Sequence, residues 1–202
     1  MGPFDKLSSI FGTNREASRK DQIAADGDSN AGTEETVEET VNELDRTEII
    51  ATYYDVSHEQ ARRITDIIQD HLTDEGGYSN RDILQEIQTN LEIADDLAER
   101  IVYTEVGSIQ VIDTIETYQN RPDADEHLFK LVAPSDHRTH PICEEVKEQV
   151  EAQGGGVPLD ELQRLLREKA EQYSDEGGTP ERMDHWVAYE KFRYTVNRHV
   201  EW

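Results

Sequence analysis

The sequence predicts an α+β fold, a mainly helical bundle followed by a small antiparallel β-sheet with a helical insertion. Three observations lead to this prediction. Apolar residues between positions 58 and 119 recur every three or four residues, which is the period of an amphipathic helix. From residue 128 the period changes to two, as in half-buried strands. Two glycine-containing loops, "QGGGVP" and "DEGGTP", then enclose one more segment of helical period.

Three helices are predicted in the first part of the fold. Ser57 and Gln60 make a capping-box pattern at the start of a helix near 58–72. "DEGGYS" breaks that helix, and a second follows near 80–91, then a long third helix near 94–119. The side chains predicted to face inward are Ala61, Ile64, Ile68, Leu72, Ile83, Leu84, Ile87, Leu97, Ala98, Ile101, Val102, Ile109, Ile112 and Ile115.

Two strands and one helix are predicted after residue 120. "LFKLVA" near 128–133 and "FRYTVNRHVEW" near 192–201 read as strands, and we expect them to pair antiparallel. Between them "PLDELQRLLREKAEQY" predicts a helix near 158–173. One face of the second strand is predicted to carry Phe192, Tyr194, Val196, Val200 and Trp202.

The net charge of −25 indicates the kind of organism from which the protein comes. The chain has 45 acidic and 20 basic residues, and the excess is spread along its length. Of the basic residues only 6 are Lys, whereas 14 are Arg, which stays charged and pairs with carboxylates in two-pronged geometry. Because concentrated salt screens self-repulsion, this composition predicts a protein from a halophile, and we expect an archaeal one; an ordinary acidic protein is the alternative.

Three regions are predicted along the chain. Residues 1–12 form an apolar anchor peptide, residues 13–45 an acidic linker, and residues 46–202 the domain, which is helical over 46–120 and α+β over 121–202. The apolar residues of the anchor, expected to bind a partner, are Phe4, Leu7, Ile10 and Phe11. Incidental hydrophobes at a disordered start are the alternative.

Two further features of the sequence are a possible short helix in the linker and the lack of a long apolar run. Within the linker Val37, Val41 and Leu44 have the spacing of a helical stripe. No apolar run approaches the roughly 20 residues that span a bilayer, so we expect no membrane partner. The sequence is therefore expected to belong to a protein made in a cytoplasm.

Four short motifs follow one another between residues 76 and 202. "AERIVYTE" (98–105) lies on the long helix, and "DHRTHPIC" (136–143) follows the first predicted strand. "GGVPL" (155–159) begins the last helix, and "FRYT" (192–195) begins the last strand. The order spans the change from helical to strand period.

In this order the motifs resemble those of the Mu F-like head morphogenesis family, the minor head proteins of tailed phages. The matching residues are Thr104, Glu105, Asp136, Arg138, Thr139 and Arg193. The chain departs from the family where Tyr103 replaces an Arg, His140 a Cys, and Phe192 and Tyr194 two further Cys.

The resemblance implies a virion structural and assembly protein, not an enzyme, acting in capsid morphogenesis. Its expected place is the capsid interior at the portal vertex, in several copies per virion. The partners that the resemblance implies are the portal protein, the major capsid protein or both. Transient contact with packaged DNA is also compatible with the resemblance. The virus would infect a halophile, in whose cytoplasm the protein is made.

His140 and Cys143 raise the question of a metal site. A structural zinc site needs four nitrogen or sulfur ligands, and a two-residue gap on a turn suits one half of it. His185 is a candidate third ligand, but Phe192 and Tyr194 occupy the positions of the missing ones. The favoured interpretation is no metal and no cofactor, with Cys143 a buried hydrophobe packed near these two aromatic rings; zinc is the alternative.

Two other functional classes stay open. A small metal-dependent, nuclease-like hydrolase would use Asp136, His137 and His140. The sequence has no nucleophile motif and no phosphate loop, and its charge disfavours binding of duplex DNA as a main role. The other alternative is a host-encoded acidic adaptor without enzymatic activity.

Overall fold

The computed structural model describes residues 46–74, 76–134 and 139–200. The predicted anchor and linker, with Phe4, Leu7, Ile10 and Phe11, lie outside the described residues, as do Asp136, His137 and Arg138. The chain divides into two compact units between Gln69 and Asp70, and the described parts of these units are 46–69 and 70–200. Within the described ranges, no helix has the length and apolar content to cross a bilayer.

The first unit contains α1 (Arg46–Tyr54) and most of α2 (His58–Thr73). The predicted capping box is present, since the Gln60 amide donates to Ser57 Oγ at 3.2 Å and the Ser57 amide to Gln60 Oε1 at 3.1 Å. The sequence did not predict α1, whose Ile50 side chain is buried.

The second unit begins with two predicted helices. α3 (Asn80–Asn90) is capped by the Ser79 hydroxyl, which accepts from the Asp82 amide at 3.2 Å. α4 (Asp95–Gln119) runs 25 residues, as expected for the long helix. The predicted inward positions of both are buried, apart from the half-buried Leu84, Leu97 and Ile112.

The region around Cys143 differs from the prediction. The sequence placed His140 and Cys143 on a turn, whereas residues Pro141–Ala152 form a helix, α5. Its buried face carries Ile142, Cys143, Val146 and Val150, and this spacing is helical. The last helix, α6 (Leu159–Gln172), is as predicted.

The two predicted strands pair antiparallel, but both are shorter than expected. β1 covers Phe129–Val132 and β2 covers Thr195–Arg198, with Phe129 opposite Arg198 and Val132 opposite Thr195. The mostly helical chain with this small sheet confirms the α+β fold class. The prediction that Val200 shares one strand face with Phe192, Tyr194 and Val196 is wrong, because β2 ends at Arg198 and Val200 is 49 % exposed, whereas those three side chains are buried. Trp202 lies outside the described residues.

A segment without regular helix or strand connects α6 to β2. We call residues 179–194 the closing segment. It contains a short 3₁₀ helix, Pro180–His185, followed by turns. Its apolar side chains pack into the core of this unit with those of α5, α6 and the inner face of the sheet. The core members from this segment are Met183, Trp186, Val187, Ala188, Tyr189, Phe192 and Tyr194.

Candidate functional site

Three polar side chains on one turn and a half of α4 are completely buried. Thr104, Glu105 and Ser108 have no exposed surface, whereas Tyr103 beside them is 38 % exposed. Burial of polar groups is costly unless each finds a partner. All three find their partners in the closing segment.

Glu105 forms a buried ion pair with Arg182 of the 3₁₀ helix. Nη2 of Arg182 donates to Oε1 of Glu105 at 2.8 Å, and the side chains are only 4 % and 0 % exposed. A buried pair of this kind adds little stability over apolar replacements, but loss of one partner leaves an uncompensated charge. The pair therefore fixes which part of the closing segment lies against α4.

The other two side chains bind the backbone of the same segment. Thr104 Oγ1 accepts from the Lys191 amide at 2.9 Å, and Ser108 Oγ donates to the His185 carbonyl at 2.7 Å. Each of these side chains forms a hydrogen bond with a main-chain group of the closing segment. The contacts therefore replace the regular backbone hydrogen bonds of a helix or sheet, which an irregular segment lacks. We call Thr104, Glu105, Ser108 and Arg182 the polar clamp.

Ion pairs on the rim extend the polar clamp toward solvent. Arg100 binds Glu190 through two parallel contacts of 2.7 and 2.6 Å, and Lys191 Nζ lies 3.1 Å from Glu99 Oε2. These side chains are 26–48 % exposed, so each pair is worth at most about 1 kcal/mol. The buried members of the polar clamp dominate the energetics.

The closing segment contains strained backbone that these contacts hold. Trp186 has φ 57° and Lys191 has φ 51°, in the left-handed region, at a cost of about 1–3 kcal/mol each. The Tyr194 hydroxyl donates to the Trp186 carbonyl at 2.5 Å and accepts from the Ala188 amide at 3.2 Å. A buried phenol therefore fastens the turn that follows the 3₁₀ helix, and burial raises its pKa.

Phe192 packs between the closing segment and α4, and Tyr194 packs beside it. Their rings stack with centroids 4.5 Å apart, and a Cβ at Gly107 would lie 3.1 Å from the Phe192 ring. Both belong to the core that contains Cys143, in agreement with the predicted packing. The thiol itself contacts the hydroxyl group of Tyr189.

Cys143 and His140 meet at Tyr189. Sγ of Cys143 lies 3.2 Å from the Tyr189 hydroxyl, and the His140 ring stacks on the Tyr189 ring at 4.3 Å between centroids. Burial raises the pKa of the Cys143 thiol to about 11, against the smaller opposing effect of the Tyr189 hydrogen bond. At pH 8 about one thiol in a thousand is then ionised. The cysteine is a packed core residue.

Both nitrogens of His140 are engaged within the chain. Nδ1 accepts from the Ile142 amide at 3.3 Å and so caps α5, while Nε2 lies 3.4 Å from the Glu176 carbonyl. This pattern assigns the proton to Nε2. A metal ion at either nitrogen would displace one of these contacts.

The third tentative ligand, His185, contributes its carbonyl to Ser108. In the part of the chain that the structure describes, no three His, Cys, Asp or Glu side chains are grouped so as to hold a metal ion. The described residues thus give the tentative zinc site of His140, Cys143 and His185 no further ligand.

The remaining motif residues lie near the ends of the strands. The Thr139 hydroxyl donates to the Pro134 carbonyl, which ties the start of α5 to the end of β1. Arg193 is exposed just before β2. Of the predicted site residues, only Thr104 and Glu105 therefore belong to the polar clamp, and sequence reasoning missed Ser108 and Arg182.

The buried thiol leads to a test of this assignment. We expect iodoacetamide to alkylate Cys143 at pH 8 at least about 100-fold more slowly in the folded chain than in the urea-unfolded chain, because the thiol is buried and poorly ionised. Mass spectrometry of timed samples measures this ratio. Zinc content per chain, measured in protein purified without chelator, is expected to be far below one equivalent. Equal alkylation rates, or stoichiometric zinc lost in Cys143→Ser, would contradict the assignment.

Comparison of the chain with protein-family models, with curated proteins and with solved structures found no match. What the chain does is therefore inferred from its own residues. The polar clamp is the most specific feature among those residues that the structure describes.

Proposed function

We propose that the chain is a virion structural and assembly protein, a minor head protein that acts in capsid morphogenesis at the portal vertex and the capsid interior. The observation that carries the proposal is the polar clamp. It ties the Thr104–Glu105 motif of the long helix to the segment that leads into the motif at 192–195. Two motifs that the family resemblance places far apart in sequence thus belong to one packed unit.

The chemistry of these residues supports a non-enzymatic role. Glu105 binds Arg182 and Thr104 binds the Lys191 amide, both in the closing segment, and both side chains are buried. A general acid or base needs reach to a substrate proton. The thiol of Cys143 is buried, and its raised pKa makes it a poor nucleophile. A fold whose buried polar clamp binds only its own chain suits a protein whose task is to present surfaces to partners.

The partners in this proposal are the portal protein, the major capsid protein or both, with several copies of the chain per particle. Contact with packaged DNA would be transient, because phosphate binding requires cations and the chain carries a net charge of −25. The proposal includes a halophilic host, in keeping with the same charge.

Co-expression with the portal protein tests the proposal. Genes for a portal and a major capsid protein are expected beside the gene for this chain. The tagged portal protein should retain the chain through washing at the salt concentration of the host. A tagged cytoplasmic protein of similar acidity serves as the control. Retention by neither the portal nor the major capsid protein would overturn the proposal.

The N-terminal peptide supplies a second test. The segment of 33 residues between residue 12 and the domain would, as flexible coil, span about 30 Å. Deletion of residues 2–12 is expected to leave the unfolding midpoint unchanged but to reduce incorporation into particles at least about fivefold, because the peptide needs a partner surface to become ordered. Quantitative mass spectrometry of purified particles measures this. Equal incorporation of the truncated chain would disprove the anchor.

A further inference from the structure

One face of the two-stranded sheet is turned away from the core. In β1 and beside it, Phe129 and Leu131 are buried, so Leu128, Lys130 and Val132 point to the other side. The strand register and alternation place four residues next to them. We call the following seven residues the outer sheet face: Leu128, Lys130, Val132, Arg193, Thr195, Asn197 and His199.

This face exposes apolar side chains to an unusual degree for this chain. Leu128 is 37 % and Val132 is 41 % exposed. Among the described residues they are two of the four large apolar side chains with this much exposure, the others being Tyr103 on α4 and Val200 beyond the end of β2. Apolar side chains grouped in this way on a polar surface indicate a binding site for a partner.

The charge on the outer sheet face is opposite to that of the chain. It carries Lys130 and Arg193, and none of its seven positions holds a carboxylate. The side chain of His199 packs against Gly155 and Gly156. At one end of the sheet the carboxylate of Asp123 lies 3.7 Å from the cationic group of Arg198, which offsets its charge. A partner for this face should therefore combine carboxylates with apolar side chains.

The chain itself contains a segment of that composition. Residues 34–45, "EETVEETVNELD", have six acidic and no basic side chains. Val37, Val41 and Leu44 have helical spacing, so a helix would present them as one apolar stripe flanked by carboxylates. The stripe matches Leu128 and Val132, and the flanking carboxylates match Lys130 and Arg193.

We propose that the outer sheet face binds residues 34–45 of a second copy of the chain. The choice of a second copy rests on the proposed function, in which several copies meet at one vertex and must be joined despite their negative charge. Contact between a carboxylate-free face and an acidic helix removes like-charge repulsion where the copies meet. The segment precedes α1 directly, so each contact would link the domains of two copies.

Sedimentation velocity of the full chain tests this inference. Self-association is expected as the concentration rises to about 200 µM, the range of a weak contact. A synthetic peptide of residues 34–45, added in excess, should return the chain to monomer. A peptide of the same composition in scrambled order should not. The double substitution Lys130→Glu with Arg193→Glu, or the single Val132→Asp, should weaken association at least about tenfold.

Control variants carry similar changes elsewhere. Tyr103→Asp places a charge at the exposed apolar residue of α4, and Lys147→Glu reverses a charge on α5. Both should leave self-association within about twofold of the unaltered chain, and circular dichroism checks the fold of every variant. A monomer at all concentrations, or association insensitive to the peptide or to the face variants, would overturn the inference. Neither result bears on retention by the portal protein, so failure of this inference is distinct from failure of the proposed function.

Discussion

Replacement of Glu105 by glutamine is expected to lower the free energy of unfolding by about 3–5 kcal/mol. Glutamine keeps the size of the side chain but removes the charge, so the buried Arg182 guanidinium loses the carboxylate that it binds at 2.8 Å. The Arg182 side chain is only 4 % exposed, which leaves it little access to water. Denaturation with guanidinium chloride at constant ionic strength measures the change.

A matched control and a double substitution make this prediction specific. Glu99 lies on the same helix as Glu105 and forms an exposed ion pair with Lys191 of the closing segment. Glu99→Gln removes that carboxylate and should lower the free energy of unfolding by at most about 1 kcal/mol. Combining Glu105→Leu with Arg182→Leu removes both buried charges and should recover most of the stability lost in Glu105→Gln. If Glu105→Gln costs no more than Glu99→Gln, the polar clamp does not hold the closing segment.

Truncation of Phe192 to alanine is expected to cost about 3–5 kcal/mol. The ring lies against Gly107 of α4 and stacks on Tyr194, and it is 6 % exposed. The backbone on both sides is fixed, at Lys191 by Thr104 and at Val196 by the sheet, so it cannot collapse into the cavity. Thermal and chemical unfolding of the variant measure the loss.

The neighbouring exposed residue provides the control for this truncation. Arg193→Ala should change stability by no more than about 0.5 kcal/mol, because surface substitutions rarely exceed that amount. Phe192→Leu, which keeps most of the volume, should cost about 1 kcal/mol. A cost below about 1 kcal/mol for Phe192→Ala would show that α4 and the segment are not packed through this ring.

Most regular elements could be predicted because their apolar periods are long. The stripe of α4 repeats over 25 residues, and capping residues mark the starts of α2 and α3. The sequence analysis did not predict α5 although its apolar residues have helical spacing, because it placed His140 and Cys143 on a turn, with or without a metal ion. Pro141, at the first helical position after a capping His140, was the local signal of a helix start.

Only part of the polar clamp could be predicted, for a physical reason. The resemblance singled out Thr104 and Glu105, but their partners Arg182, His185 and Lys191 lie in a segment without any period. The contact between Glu105 and Arg182 joins residues 77 positions apart. A buried carboxylate demands a cation, yet the sequence does not show which of 20 basic residues supplies it.

The halophilic origin and the viral role stay predictions. They depend on composition and on the order of four motifs. What the fold adds is a physical role for two of the motif residues, which hold the closing segment against the long helix.

The location of the chain in purified virus particles tests the proposed function most directly. Particles released from the source cells are treated with protease, the protease is inactivated, and peptides of this chain are quantified by mass spectrometry before and after the particles are opened. We predict that the chain copurifies with the portal protein in a constant ratio and is protected until the particles are opened. Absence of the chain from particles whose portal protein is readily detected, or its complete digestion in intact particles, would contradict a role inside the capsid.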